Sequence, residues 1–275
     1  MNYYSQKIKN AITNGYQFEI GNVLNTGFDT FKKTFLYGAL ALFLMSIVIL
    51  LFSGGTFIAF DLTTKLQELI TDVNFMTDFQ QSTPYIAIQL SAILIFSLFA
   101  PLTAGIIYIN HKAYLNQDIS FNDVFSLYRS KKFLDLFLAS VLLGIIGIAF
   151  EYLSNQFNHQ LIITIGISLV SSFFSILTFL ATPIIIFTDE SFVSAIGKSI
   201  NLVIRKPFHF IIVGIVGGLI AIIGVLGCII GLFFTIPIFY SFIYASFIEI
   251  TDIEQESEIN QIGQDGNDNE FQYNQ

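Results

Sequence analysis

Six stretches of this chain run for about 20 residues with charge only near their ends, and that feature restricts the fold more than any other. They are Phe35 to Ser53, Tyr85 to Ile109, Phe133 to Tyr152, Leu161 to Phe187, Phe208 to Gly227 and Ile229 to Ile250. Crossing about 30 Å of hydrocarbon takes roughly 20 helical residues at about 1.5 Å each, so each run is long enough to span a bilayer. Leu, Ile, Val and Phe follow one another without the two-residue alternation of an outer-membrane barrel, which selects helices. The last two runs form one apolar block, divided here at the glycine-rich "GVLGCIIG", Gly224 to Gly231. With 54% apolar and 12% charged residues and a mean hydropathy of +0.70, the chain cannot clothe a soluble surface. The fold class is therefore all-α: a polytopic membrane protein of six transmembrane helices in three hairpins. The first run follows more than thirty largely polar residues and has no A-x-A-like cleavage site, so it reads as a retained helix.

Basic residues set the topology. Lys7, Lys9, Lys32 and Lys33 precede the first run, Lys112, Arg129, Lys131 and Lys132 lie between the second and third, and Lys198, Arg205 and Lys206 lie between the fourth and fifth. With six crossings these segments share one side, and only Lys65 falls opposite, which predicts N-in, C-in. The formal net charge is −8, yet the residues after 251 carry seven acids and no base. That segment is expected to be a disordered acidic tail. The chain thus divides into a cytoplasmic N-terminal amphipathic segment, 1–34, a six-helix domain, 35–250, and the tail, 251–275.

Each basic junction closes an amphipathic stretch. Ile20, Leu24, Phe28, Phe31 and Phe35 recur at helical spacing; Phe121, Val124, Phe125 and Tyr128 follow a capping-box-like Ser120 to Asp123; Phe192, Ile196, Ile200, Val203 and Ile204 repeat the pattern. All three suit interfacial helices on the inner leaflet. Between the first two runs, Leu62, Leu66, Leu69, Ile70 and Val73, with Asp61 and Lys65 at i, i+4, predict a short outer amphipathic helix. Pro84 and Pro207 stand at helix starts, whereas Pro101, Pro183 and Pro237 fall inside the second, fourth and sixth runs and predict kinks there.

Chemistry has little to work with. The topology sets His159 a membrane thickness from His111 and His209, so no histidine metal site forms within one chain and no metal or cofactor is expected. Asp135, Glu151 and Glu249 lie near helix ends, and Asp135, four residues from Lys131, suggests an interfacial ion pair. Motifs for nucleophilic, metalloprotease or phosphate-binding chemistry are missing, so an enzyme is not expected. Cys228 has no partner cysteine in the chain. The bases are accounted for by topology, which leaves no nucleic-acid surface; the expected partners are the lipid bilayer and other membrane proteins.

One polar feature lies within a run. Ser168, Ser171, Ser172, Ser175, Thr178 and Thr182 form a continuous helix face that should turn inward, either packed with interhelical hydrogen bonds or lining a polar path or headgroup cavity. Gly214, Gly217 and Gly218 on the fifth run, with Gly214 and Gly218 in small-xxx-small spacing, predict helix packing.

The segment "TPIIIFTDESFVSAIGKSINLVIRKPFHF", with the later "GCIIG" and "TIP", resembles the YciC-like membrane proteins and the membrane domain fused to some glycerophosphoryl diester phosphodiesterases. The likeness extends over residues 20 to 250 and implies a six-helix bacterial inner-membrane protein. It carries no activity over to any residue. The function expected is a non-enzymatic membrane-organising or accessory role; the alternative is transport of a small, weakly polar or lipidic solute.

Overall fold

A computed structural model describes residues 3–59, 83–157, 160–227 and 230–251. The outer amphipathic stretch with Lys65, His159, Cys228 and the acidic tail lie outside the described residues. Helix accounts for 87% of the structure, and no strand occurs among the described residues. The helices are α1 (Tyr3–Asn14), α2 (Ile20–Ala59), α3 (Thr83–Leu98), α4 (Ala100–Tyr114), α5 (Phe133–Gln156), α6 (Leu161–Leu177), α7 (Ala181–Phe187), α8 (Phe192–Val203), α9 (Pro207–Ile223), α10 (Ile230–Thr235) and α11 (Pro237–Thr251). Short 310 segments fill Phe121–Arg129 and Gly224–Gly227. Among the described residues five spans are long and apolar enough to cross a membrane, or six where the bent pair α8 and α9 counts as one. The chain is an all-α polytopic protein.

Proline sets the breaks. α3 gives way to α4 at Phe99, α6 to α7 over residues 178–180, and α10 to α11 at Ile236, in each case within three residues of Pro101, Pro183 or Pro237. A proline lacks the N–H for the i to i−4 bond and its ring crowds the preceding turn, so the helix restarts with the proline in its first turn. At Pro207 the effect is larger: Lys206 leaves the helical region at φ −137° and ψ 52°, and α8 meets α9 at 102°. The expected interfacial helix is there, lying across the start of its span.

The first junction behaves otherwise. Ile20 to Phe35 was expected to lie along the membrane, but α2 runs unbroken for 40 residues, because nothing between Ile20 and Phe35 interrupts the backbone bonds. Its apolar face meets α11, where the Phe242 ring occupies the space a side chain at Gly27 would take and Pro237 seats against Gly38. Deeper in the interface, Asn110 Oδ1 accepts from Thr34 Oγ1 at 3.1 Å and Ser241 Oγ at 2.8 Å, joining α2, α4 and α11 through a satisfied buried group. The amphipathic helix of this end is α1, whose Ser5, Ile8 and Ala11 are buried. The second stretch forms the 310 segment Phe121–Arg129, held to α4 by Lys112 Nζ on Asp123 Oδ2 at 2.8 Å.

The three basic junctions are tied to one another. Lys33 donates to the Ala113 carbonyl and Asn116 Oδ1, at 3.1 and 2.7 Å, Lys132 to the Thr188 carbonyl, and Arg205 to the Ile12 carbonyl. Asp135 caps α8 by accepting from the Phe192 N–H at 3.0 Å, and this bond takes the place of the expected pairing with Lys131. These cross-ties bring all eleven described bases to one end of the bundle. Burial is concentrated there too. No described residue between 43 and 55, 85 and 96, or 140 and 176 is buried, whereas α7 and α11 are buried almost throughout. Leu50, Leu51, Leu161 and Ile162 are 72, 70, 71 and 86% exposed, an apolar surface that only lipid or another apolar partner can cover.

Two carboxylates hold this basic end and make it acid-sensitive. Burial pushes Asp123 up, but hydrogen bonds from Lys112 and from the N–H and hydroxyl of Ser120 outweigh it and hold the carboxyl below its ordinary range. Hydrogen bonds from Lys198 and Ser194 lower Glu190 in the same way. A carboxylate whose folded-state pKa is depressed contributes stability above its unfolded value and loses it as pH falls through the folded value. The melting temperature in detergent should therefore be flat from about pH 7 to 5 and fall below about pH 4. Combining Asp123→Asn with Glu190→Gln should lower the plateau and flatten the acid limb; an unchanged limb would assign it to other groups.

Candidate functional site

Three hydroxyls along this face donate to carbonyls of α6 itself. Ser168 donates to the Thr164 carbonyl at 2.9 Å, Ser175 to Ser171 at 3.1 Å and Thr178 to Ser175 at 3.1 Å. Such back-bonding leaves the oxygen lone pairs facing outward and needs no neighbouring helix. Ser168, Ser172 and Ser175 are exposed, and Ser171, Thr178 and Thr182 half-buried, so the face, expected to turn inward and either pack or line a cavity, borders a groove.

Three adjoining cavities make up this groove. The outermost, about 330 Å³, lies between α5 and α6 and is lined by Glu151, Ser154, Asn155, Ser168, Ser171 and Ser172, among others. Through Gly147, Phe150 and Ser171 it adjoins one of about 150 Å³ that reaches Ser175 and Thr178. Leu143 is shared with the third, about 380 Å³, where Thr103, Ser140 and Thr182 line the wall between α4, α5 and α7. Next to Thr182 in sequence, Leu180, Ile184 and Ile185 are each fully buried. The result is a hydroxyl-lined cleft open along its side.

Its mouth carries a fixed charge. Tyr85 Oη donates to Glu151 Oε1 at 2.5 Å, and Gln89 Nε2 donates to both carboxylate oxygens at 3.0 Å. Tyr85 and Gln89 stand four residues apart on α3, one turn above the other, so a single helix face grips the carboxylate of α5. Eighteen residues of helix separate Phe133 from Glu151, about 27 Å, which sets this carboxylate a membrane thickness from the basic end.

No family model, curated protein or solved structure matches this chain.

Other residues marked by the sequence fall elsewhere. His111 Nδ1 lies 3.0 Å from Tyr244 Oη with its ring against Phe187, and His209 packs edge-on to Phe18. Among the described residues no three His, Cys, Asp or Glu side chains converge. On α9 the packing contact belongs to Gly217, against Phe239 and Phe242, while a Cβ at Gly214 or Gly218 would meet nothing within 4 Å. A separate polar cavity of about 560 Å³ at the basic end is lined by Lys7, Asn10, Asn14, Tyr16, Glu19 and Glu249, among others. There Glu249 Oε1 accepts from the Glu19 N–H at 2.9 Å and fixes the start of α2 on α11. Sequence reading did not single out Tyr85, Gln89, Ser140, Ser154 or Asn155; the i, i+4 spacing of Tyr85 and Gln89 was the one available signal.

Proposed function

We propose that this chain is a non-enzymatic, multi-pass accessory protein of the bacterial cytoplasmic membrane that works by holding a membrane lipid in the groove between α5 and α6. Its basic end faces the cytoplasm, because eleven of twelve bases gather there and the positive-inside rule orients such proteins. The observation that carries the reading is the openness of the hydroxyl face: six Ser and Thr residues border cavities instead of another helix. A groove with apolar walls and a line of hydroxyl acceptors suits an amphiphile whose chain lies along Leu143, Ile146 and Phe150. Transport is the weaker reading, since the groove opens along its side and Leu180, Ile184 and Ile185, next to Thr182 in sequence, are fully buried.

Filling the groove tests it. Ser171→Leu, Ser172→Leu and Ser175→Leu together should reduce photolabelling of α5 and α6 by a lipid with a diazirine in its chain about fivefold or more, with melting temperature held within a few degrees. These positions are exposed or half-buried, so the leucines disturb no core. Undiminished labelling would refute a lipid site here.

A further inference from the structure

Resting on the lipid-groove reading, we infer that the lipid held between α5 and α6 is a phospholipid whose headgroup ends in an ammonium, recognised by Glu151. The described residues of the outer halves, 43–59, 83–97, 143–157, 160–172 and 216–235, contain one charged side chain, Glu151. That charge is not placed at random. It lines the outermost cavity, about 27 Å along α5 from Phe133 at the basic end. Two neutral donors on α3 orient it. Oε1 takes two hydrogen bonds and Oε2 one, and a carboxylate accepts about four, so Oε2 keeps capacity for a further donor. None of the described bases pairs with it.

Charge complementarity selects the occupant. An anionic headgroup at the mouth would meet a carboxylate with none of the described bases beside it; an ammonium supplies a charge partner and hydrogen-bond donors at once. The phosphate of the same headgroup lies one linker deeper, where the Ser171 and Ser172 hydroxyls line the cavity wall as neutral donors. The acyl chain then follows Gly147, Phe150 and Ile146 toward Thr178.

The full chain is reconstituted in vesicles of equal parts phosphatidylethanolamine and phosphatidylglycerol, with a diazirine on the acyl chain of one or the other, and labelled peptides are quantified after photolysis. The ethanolamine lipid should label α5 and α6 about fivefold more than the glycerol lipid, the lower end of the usual range of coupling. Glu151→Gln should bring that ratio to about one, and Glu151→Lys should invert it. A wild-type ratio near one, or a ratio unmoved by Glu151→Gln, overturns the ammonium assignment while the groove still holds lipid. Absence of label from α5 and α6 with either lipid, or copy-to-copy crosslinks through α6 in its place, overturns the groove reading as well.

Discussion

Gly105→Ala should strip the 310 segment Phe121–Arg129 from α4 and cost the protein about 3 kcal/mol, the upper range for overpacking a rigid contact. A methyl group at Gly105 would sit inside the carbonyl of Val124, with that carbonyl carbon at 2.7 Å and the Cα at 3.1 Å. The obstruction is backbone, so no rotamer change relieves it. Nor is the segment free to retreat. Lys112 holds Asp123, Tyr37 Oη donates to the Ile119 carbonyl at 3.2 Å, and Tyr128 Oη donates to the Leu98 carbonyl at 2.9 Å. The melting temperature in detergent should fall by roughly 6 to 12 °C, given a few degrees per kcal/mol at this chain length. Gly197→Ala is the control: it lies in α8 with nothing within 4 Å of the new methyl group and should be neutral or slightly stabilising. A shift under about 2 °C for Gly105→Ala would show that the two backbones do not approach this closely.

Phe242→Ala should be the other severe change, for the opposite reason. Its fully buried ring fills the space over Gly27 on α2 and Gly217 on α9 and packs edge-on to Phe28 at 5.5 Å. In a soluble core, Phe→Ala costs about 3 to 5 kcal/mol through lost transfer energy and a residual cavity. Within a bilayer the transfer part is small, because lipid tails solvate an exposed Phe as well as the core does. The cavity and lost dispersion remain, so about 2 kcal/mol is expected. Because α2 and α9 both close on this ring, crosslinking between cysteines placed on their facing surfaces should weaken together. Loss at one helix pair alone would assign the ring to that pair.

These two sites show why sequence carried the outline of the fold further than its contacts. Pro101, Pro183 and Pro237 act through local backbone chemistry, and each lies in the first turn of a restarted helix as the sequence implied. Arg205, Lys206 and Pro207 likewise announce the corner before α9. The stretch Ile20 to Phe35 has the same amphipathic signature but no breaker, and it runs straight on; its apolar face serves α11 instead of lipid. The periodicity was legible, and the surface it covers was not. The face of α1 that buries Ser5, Ile8 and Ala11 lies inside the N-terminal segment expected to be amphipathic, though the periodic residues named there were those of α2. The hydroxyl face was visible as a face, but which way it turns depends on the rotation of α6 against α5. Glu151 was visible as an interfacial acid. Its grip by Tyr85 and Gln89 joins residues more than sixty positions apart on helices whose pairing no local pattern encodes.

The tie between Arg205 and the Ile12 carbonyl spans 193 positions of the chain. The apolar face of α1 packs on α8 and α11, both of which leave the ribosome long after it does. At about 5 to 20 residues per second, α1 waits roughly 10 to 40 seconds for Arg205 to be synthesised, and longer for α11. Through that interval Ile8 and Ala11 lack the surfaces of α8 and α11 that bury them in the finished fold. The amino-terminal helix therefore reaches its complete seat only after the last helix of the bundle has been made.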